Sequence, residues 1–146
     1  MKSIWKVKPD IEAMNNFSKN TMVAHCGMIF TEAGDDYLKM TMPVDERTVQ
    51  PYGILHGGAN VALAETVGSV AAVYCTDPQT HRAVGLSINA NHLKAVRSGL
   101  VTAIAKPVRI GKTTQVWEIK IYDDQENLSA ISRITMAIVP KARIES

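Results

Sequence analysis

The stretch "VQPYGILHGGANVALAETVGS", residues 49–69, gathers groups that can act on a carbonyl. Glu65 stands in an otherwise apolar run, with Ser69 one helical turn later. Glutamate is seldom buried without a partner. Its position therefore predicts a carboxylate lining a narrow slot, with Ser69 placed to hydrogen-bond it or a water. A partly desolvated carboxylate is a stronger base and nucleophile than a solvated one. His56-Gly57-Gly58 supplies a complementary half. A glycine pair can serve only to ease a turn, but at a helix start it also leaves backbone N–H groups unobstructed at the positive end of the dipole. Such donors bind a phosphate or polarise a carbonyl whose oxygen becomes negative in a transition state. With Gln50 close by, the candidate catalytic set is Glu65, Gly57, His56, Gln50 and Ser69, and the chemistry is acyl transfer.

One helix cannot assemble that set alone. Gly57 and Glu65 are eight residues apart, or about 12 Å along a helix axis at 1.5 Å per residue. Both would have to come within roughly 3 Å of one reacting group. The carboxylate is therefore expected from a second subunit. Two central helices running antiparallel about a two-fold axis would give two equivalent sites.

The elements that must position these residues follow from periodicity and turn chemistry. "PDIEAMNNF" reads as a short helix with Ile11, Met14 and Phe17 along one side. "HCGMIFTEAGDDYLKMTMPV" reads as two strands joined at Gly34-Asp35-Asp36, with Leu38, Met40 and Met42 facing one way. A long helix follows from about Gly58 to Tyr74. Four strand-like segments come after it, near 83–93, 101–108, 115–122 and 130–139. An antiparallel sheet wrapped around one central helix satisfies this order, because the helix is apolar nearly all round. A doubly wound parallel fold would need a helix after each strand. The class is α+β.

Composition bounds the rest. A chain of 146 residues is read as one domain, 1–146. A hydrophobic content of 46% and a net charge of +2 fit a globular protein and give no case for a nucleic-acid partner. Cys26 and Cys75 match no metal-ligand spacing and give little support for a disulfide. No metal site is read from the side chains. No apolar run reaches the ~18–20 residues of a membrane span, and "MKSIWKVKPD" lacks the apolar core of a signal peptide. A cytoplasmic location is the expectation. Met14, Met22, Met28, Met40 and Met42 could line an adaptable pocket, but core packing is the reading preferred here.

At the residues of the opening stretch the sequence resembles the hot-dog-fold acyl-CoA thioesterase superfamily. It most resembles the group holding 1,4-dihydroxy-2-naphthoyl-CoA thioesterase of menaquinone synthesis and the proofreading thioesterase of enterobactin synthesis. "QPYGILHGGANVALAETVGS" with "NANH" carries the resemblance, supported by "NTMVAH", "GDDYLKMTMPVD" and "KPVRIGKTTQVWEI". The resemblance implies that Glu65 acts on the thioester directly or through water, and that the Gly57 N–H polarises its carbonyl. It also implies that His56 and Gln50 position the reactants, and that Ser69 is the hydroxyl one turn after the carboxylate. His92 resembles a residue near the acyl group or the pantetheine arm. Coenzyme A carries phosphates, so a basic patch is expected, with Lys94, Arg97, Arg109 and Lys112 as candidates. Lys94 stands where close relatives often carry arginine, which exchanges a bidentate fork for a point charge.

The implied activity is hydrolysis of acyl-CoA thioesters, with aromatic acyl groups favoured, no cofactor, and coenzyme A as part of the substrate. An acyl or aryl carrier protein is the alternative carrier. The implied assembly is a homodimer sharing its sites, and beyond it a dimer of dimers, a homotetramer. Two other readings compete. A hot-dog dehydratase also uses a carboxylate and a histidine, but "LHGGA" does not resemble its loop. A non-catalytic acyl-CoA sensor would tend to lack the helix carboxylate.

Overall fold

Side-chain alternation decides which way the sheet faces. In the strand Leu38–Pro43, Leu38, Met40 and Met42 are fully buried, while Lys39 and Thr41 stay partly open. The computed structural model describes residues 2–142. The first residue of the N-terminal stretch and the last four residues of the domain read above lie outside them. The elements are α1 (Ile11–Phe17), α2 (Met22–His25), β1 (Ile29–Ala33), β2 (Leu38–Pro43), α3 (Gly57–Tyr74), β3 (His81–His92), β4 (Leu100–Ile110), β5 (Thr114–Tyr122) and β6 (Leu128–Pro140). The six strands form one sheet in the order β1-β2-β4-β5-β6-β3, with every neighbouring pair antiparallel. The sheet packs on α3, as the alternation and the apolar helix predict.

Close approach of α3 to the sheet depends on small residues. Its buried face is Asn60, Leu63, Ala64, Val67, Gly68, Ala71 and Ala72. A Cβ on Gly68 would stand 2.8 Å from Ile134 Cγ2 and 3.2 Å from Ile119 Cδ1, so a larger residue would force the helix off β5 and β6. Ala103 and Ala105 of β4 are also fully buried. The last turn of α3 is closed by the N-terminal segment, where the Lys6 and Val7 N–H groups donate to Tyr74 O at 2.9 and 3.1 Å. Trp5 anchors that segment. Its ring stacks on Trp117 at 6.3 Å, and its indole N–H donates to Gly34 O at 2.7 Å.

Several local expectations change. His25 to Met28 do not open a strand. Thr21 caps the short helix α2 by accepting from the Val23 N–H, and Gly27 ends it at φ +72°, where a side chain would be strained and would meet Pro43. Phe17 is 92% exposed, so Met14 is the only one of Ile11, Met14 and Phe17 that is fully buried. Met14, Met28, Met40 and Met42 belong to the core, whereas Met22 is 63% exposed. Both cysteines are free and buried, and burial pushes the Cys75 thiol up to about 12. Among the described residues no helix is long and apolar enough to cross a membrane.

One sheet edge is conspicuous. β3 lies at the margin and pairs only with β6. Its pairing shifts between Gly85 and Ser87, so Leu86 is an extra, bulged residue and is 62% exposed.

Candidate active site

The N-terminus of α3 is built by its cap. His56 is the N-cap residue, with φ −65° and ψ 129°, and its Nδ1 accepts from the Gly58 N–H at 2.8 Å. That bond uses one of the orphan donors of the first turn. It also fixes the neutral ring as the tautomer protonated at Nε2, which leaves Nε2–H as a donor. So only one of the two glycine N–H groups is open for a ligand. The Gly57 N–H donates to no acceptor among the described residues.

Gly58 is needed for this geometry. A Cβ there would stand 2.9 Å from both Nδ1 and Cε1 of His56. Gly58→Ala therefore displaces the ring and loses the cap bond. The expected result is a stability loss of about 1 kcal/mol, typical of a lost N-cap, together with a clear fall in kcat/KM. Thermal unfolding and steady-state thiol release measure the two effects.

The loop before the helix orients Gln50. The Leu55 N–H donates to Val96 O at 2.7 Å, the His56 N–H to Thr48 O at 2.8 Å and the Gln50 N–H to Ile54 O at 2.9 Å. Gly53 makes the turn at φ +80°. The Gln50 side-chain oxygen accepts from the Tyr52 N–H. Its NH₂ end is thereby left as the free, donating end. Gln50 and Gly57 line one cavity of about 320 Å³, together with Asn60, His92 and Lys94. The His92 ring lies against the helix start, with Nε2 3.0 Å from where a Cβ on Gly57 would be. The Lys94 ammonium is 3.9 Å from Asp123 Oδ2.

Glu65 and Ser69 form a second, separate group. Neither lines that cavity, and the regular helix keeps Glu65 about 12 Å from Gly57 along its axis. The expected slot is absent in the single chain: Glu65 is exposed and Ser69 half-buried. Only the face of α3 toward the sheet is covered, and Glu65 is not on it. Ser69 Oγ lies 3.8 Å from Met136 Sδ rather than bonding the carboxylate. Glu65 Oε1 is 3.7 Å from the position a Cβ on Gly85 would take, just before the β3 bulge.

The four remaining cations do not form one patch within the chain. Lys94 lines the cavity at the start of α3, and Arg97 is exposed shortly beyond it. Lys112 lines a different cavity with Cys75 and Asp77, at the other end of the helix, and Arg109 lies near the same turn. β4 separates the two pairs, beginning just after Arg97 and carrying Arg109 near its far end. Two features were missed in the sequence: His56 as an N-cap, and Asn60 as a buried polar residue of the cavity. The first was signalled by a side-chain acceptor two residues before a glycine N–H.

Comparison with known proteins agrees with this architecture. The family model of the thioesterase superfamily matches residues 52–130. A 1,4-dihydroxy-2-naphthoyl-CoA hydrolase of Escherichia coli is 48% identical over 136 residues, covering 93% of this chain and 99% of that protein. A proofreading thioesterase, EntH, of Cronobacter sakazakii is also 48% identical, covering 93% and 98%. The crystal structure of a mutant thioesterase from Pseudomonas aeruginosa superposes with a TM-score of 0.93 at 46% identity, covering 94% of this chain and 99% of that one. The family match spans the whole of α3, with Gly57 and Glu65 in it, and the likeness of fold extends over nearly the whole chain. The chain belongs to the thioesterase superfamily and is a thioester hydrolase with the hot-dog fold.

Proposed function

We propose that the protein hydrolyses aromatic acyl-CoA thioesters at two sites shared across a homodimer. The observation that carries this reading is the open Gly57 N–H on the same cavity as the free NH₂ end of Gln50. The thioester carbonyl accepts from Gly57, whose N–H is fixed in direction before substrate arrives. His56 Nε2–H and Gln50 supply further donors that orient the thioester or the attacking group. Glu65 of the partner subunit then attacks the carbonyl carbon or deprotonates a water that does so. The C–S bond breaks, and the thiolate leaves and takes up a proton; on the route of direct attack, water then cleaves the Glu65–acyl anhydride, which releases the acid and restores the carboxylate. Neither a metal nor a cofactor is called for.

Support for sharing comes from surfaces left open in one chain. β3 is a twelve-residue edge strand bearing exposed Val84 and Leu86, and beside it the Glu65 face of α3 is only partly covered. A long apolar edge invites pairing with another copy. Antiparallel α3 helices that align Gly57 with the partner's Glu65 also set the C-terminal end of one helix beyond the start of the other. Lys94 and Arg97 of one subunit then approach Arg109 and Lys112 of the other, which restores a basic patch for the phosphates of coenzyme A. Pairing of two such dimers into a tetramer, and a cytoplasmic location, complete the reading.

A panel of thioesters tests the substrate class, with kcat/KM as the measure. Aryl-CoA thioesters, including 1,4-dihydroxy-2-naphthoyl-CoA, are expected to exceed straight-chain acyl-CoAs by at least about tenfold, a difference of roughly 1.4 kcal/mol. The name of the Escherichia coli relative supports that direction. Preference for an aryl carrier-protein thioester would instead favour the proofreading role carried by the Cronobacter relative's name. An enoyl product from a 3-hydroxyacyl thioester would overturn the reading for a dehydratase, and tight binding without turnover would overturn it for a sensor.

A further inference from the structure

Asn60 sits in the first turns of α3, and the residue is 5% exposed. Its Oδ1 is buried with no hydrogen-bond partner, and it is the only such side-chain atom among the described residues. Elsewhere on and just beyond the same helix, two threonine hydroxyls do find partners. Thr66 and Thr76 each return a hydroxyl to the carbonyl four residues back, both at 2.7 Å. Asn60 makes no such bond and instead lines the cavity that Gly57, Gln50 and His92 share. A buried acceptor without a partner costs free energy, and an apolar residue of the same shape would avoid that cost. It stands three residues beyond Gly57, one turn deeper, or about 4.5 Å along the axis.

We infer that Asn60 is a specificity residue whose side-chain oxygen accepts a hydrogen bond from a donor on the bound thioester. The inference rests on the thioesterase reading. The cavity already supplies donors to a carbonyl, so an acceptor one turn deeper selects a different group of the same substrate, an N–H or an O–H. Two parts of a thioester carry one: the first amide N–H of the pantetheine arm, two methylenes from sulfur, and a hydroxyl on an aromatic acyl group. A site built to pair such a donor discriminates against the analogue that lacks it, because the buried acceptor is left unpaired.

The test uses two substrate pairs with the wild-type protein and Asn60→Leu. One pair is a benzoyl thioester of N-acetylcysteamine and its counterpart with an ester oxygen in place of the N–H. The other pair is 2-hydroxybenzoyl-CoA and benzoyl-CoA. The wild-type protein is expected to prefer the donor-bearing member of one pair by about tenfold in kcat/KM. Asn60→Leu should erase that preference while raising the unfolding midpoint. The pair that responds identifies the donor as arm amide or acyl hydroxyl. Equal preference ratios in wild type and variant, whatever the overall rate, overturn the assignment, as does a wild-type protein with no preference in either pair. Asn60→Ala reads the same ratios should the leucine variant fail to fold. A wild-type protein inert to all four thioesters overturns the thioesterase reading as well, which separates the two failures.

Discussion

Glu65→Gln is expected to lower kcat by about a thousandfold, within the range attributed to a positioned acid–base group, while leaving the unfolding midpoint of the protein nearly unchanged. The separation of the two effects follows from where the residue lies. Glu65 is exposed on the single chain, and no salt bridge among the described residues includes it. Glutamine keeps the shape and hydrogen-bonding reach of the side chain and removes only the charge. Substitutions at exposed positions without such partners usually change stability by less than about 0.5 kcal/mol. Released thiol is a clean readout, since Cys26 and Cys75 are both buried and burial holds the Cys75 thiol protonated. A loss of less than about tenfold would show that the carboxylate neither attacks nor activates water. A role limited to holding subunits together would appear instead as weakened association in sedimentation, with kcat recovered at high protein concentration. Label found in the Glu65 carboxylate after a single turnover in ¹⁸O-water would establish direct attack, since it arises only from a mixed anhydride that water opens at the Glu65 carbonyl.

The parts of the fold legible in the sequence are those that a single element records by itself. Alternation at Leu38, Met40 and Met42 gave the inward face of β2, and the apolar run from about Gly58 to Tyr74 gave α3, which begins one residue earlier. The spacing of Gly57 and Glu65 gave their separation along α3. What escaped depends on relations between elements. Glu65 was expected in a slot because its helix is apolar nearly all round, yet one chain covers only the Asn60–Leu63–Ala64–Val67 side. The cations Lys94 and Lys112 are only 18 positions apart in sequence but fall at opposite ends of α3, because a full strand runs between them. Asn60 is one polar letter in the helix. Its meaning comes from the absence of a partner for Oδ1, which only the packing around it shows.

The strongest expectation concerns two inactive proteins that restore each other. Gly57→Pro removes the open glycine N–H at the start of α3 without removing the helix. Proline is well suited to the first helical position, where its missing N–H has no intrahelical partner. The residue before it must be extended, and His56 already is, at φ −65° and ψ 129°. The His92 ring, exposed and 3.0 Å from the new Cβ, has room to give by a few tenths of an ångström. Loss of a donor to a developing oxyanion costs about 10²–10³ in kcat, so both Gly57→Pro and Glu65→Gln homodimers are expected to be nearly inactive. After mixing in equal amounts with subunit exchange, half of the dimers carry one chain of each kind. In every such dimer one site unites the intact Gly57 of one chain with the intact Glu65 of the other. The mixture should then regain about a quarter of wild-type activity per site, as random two-fold pairing requires. A protein whose site lay within one chain would regain nothing, since each chain would remain defective wherever it was paired. Recovery that rises with the time allowed for exchange, and fails when the two variants are cross-linked as homodimers beforehand, ties the activity to a carboxylate delivered across the two-fold axis.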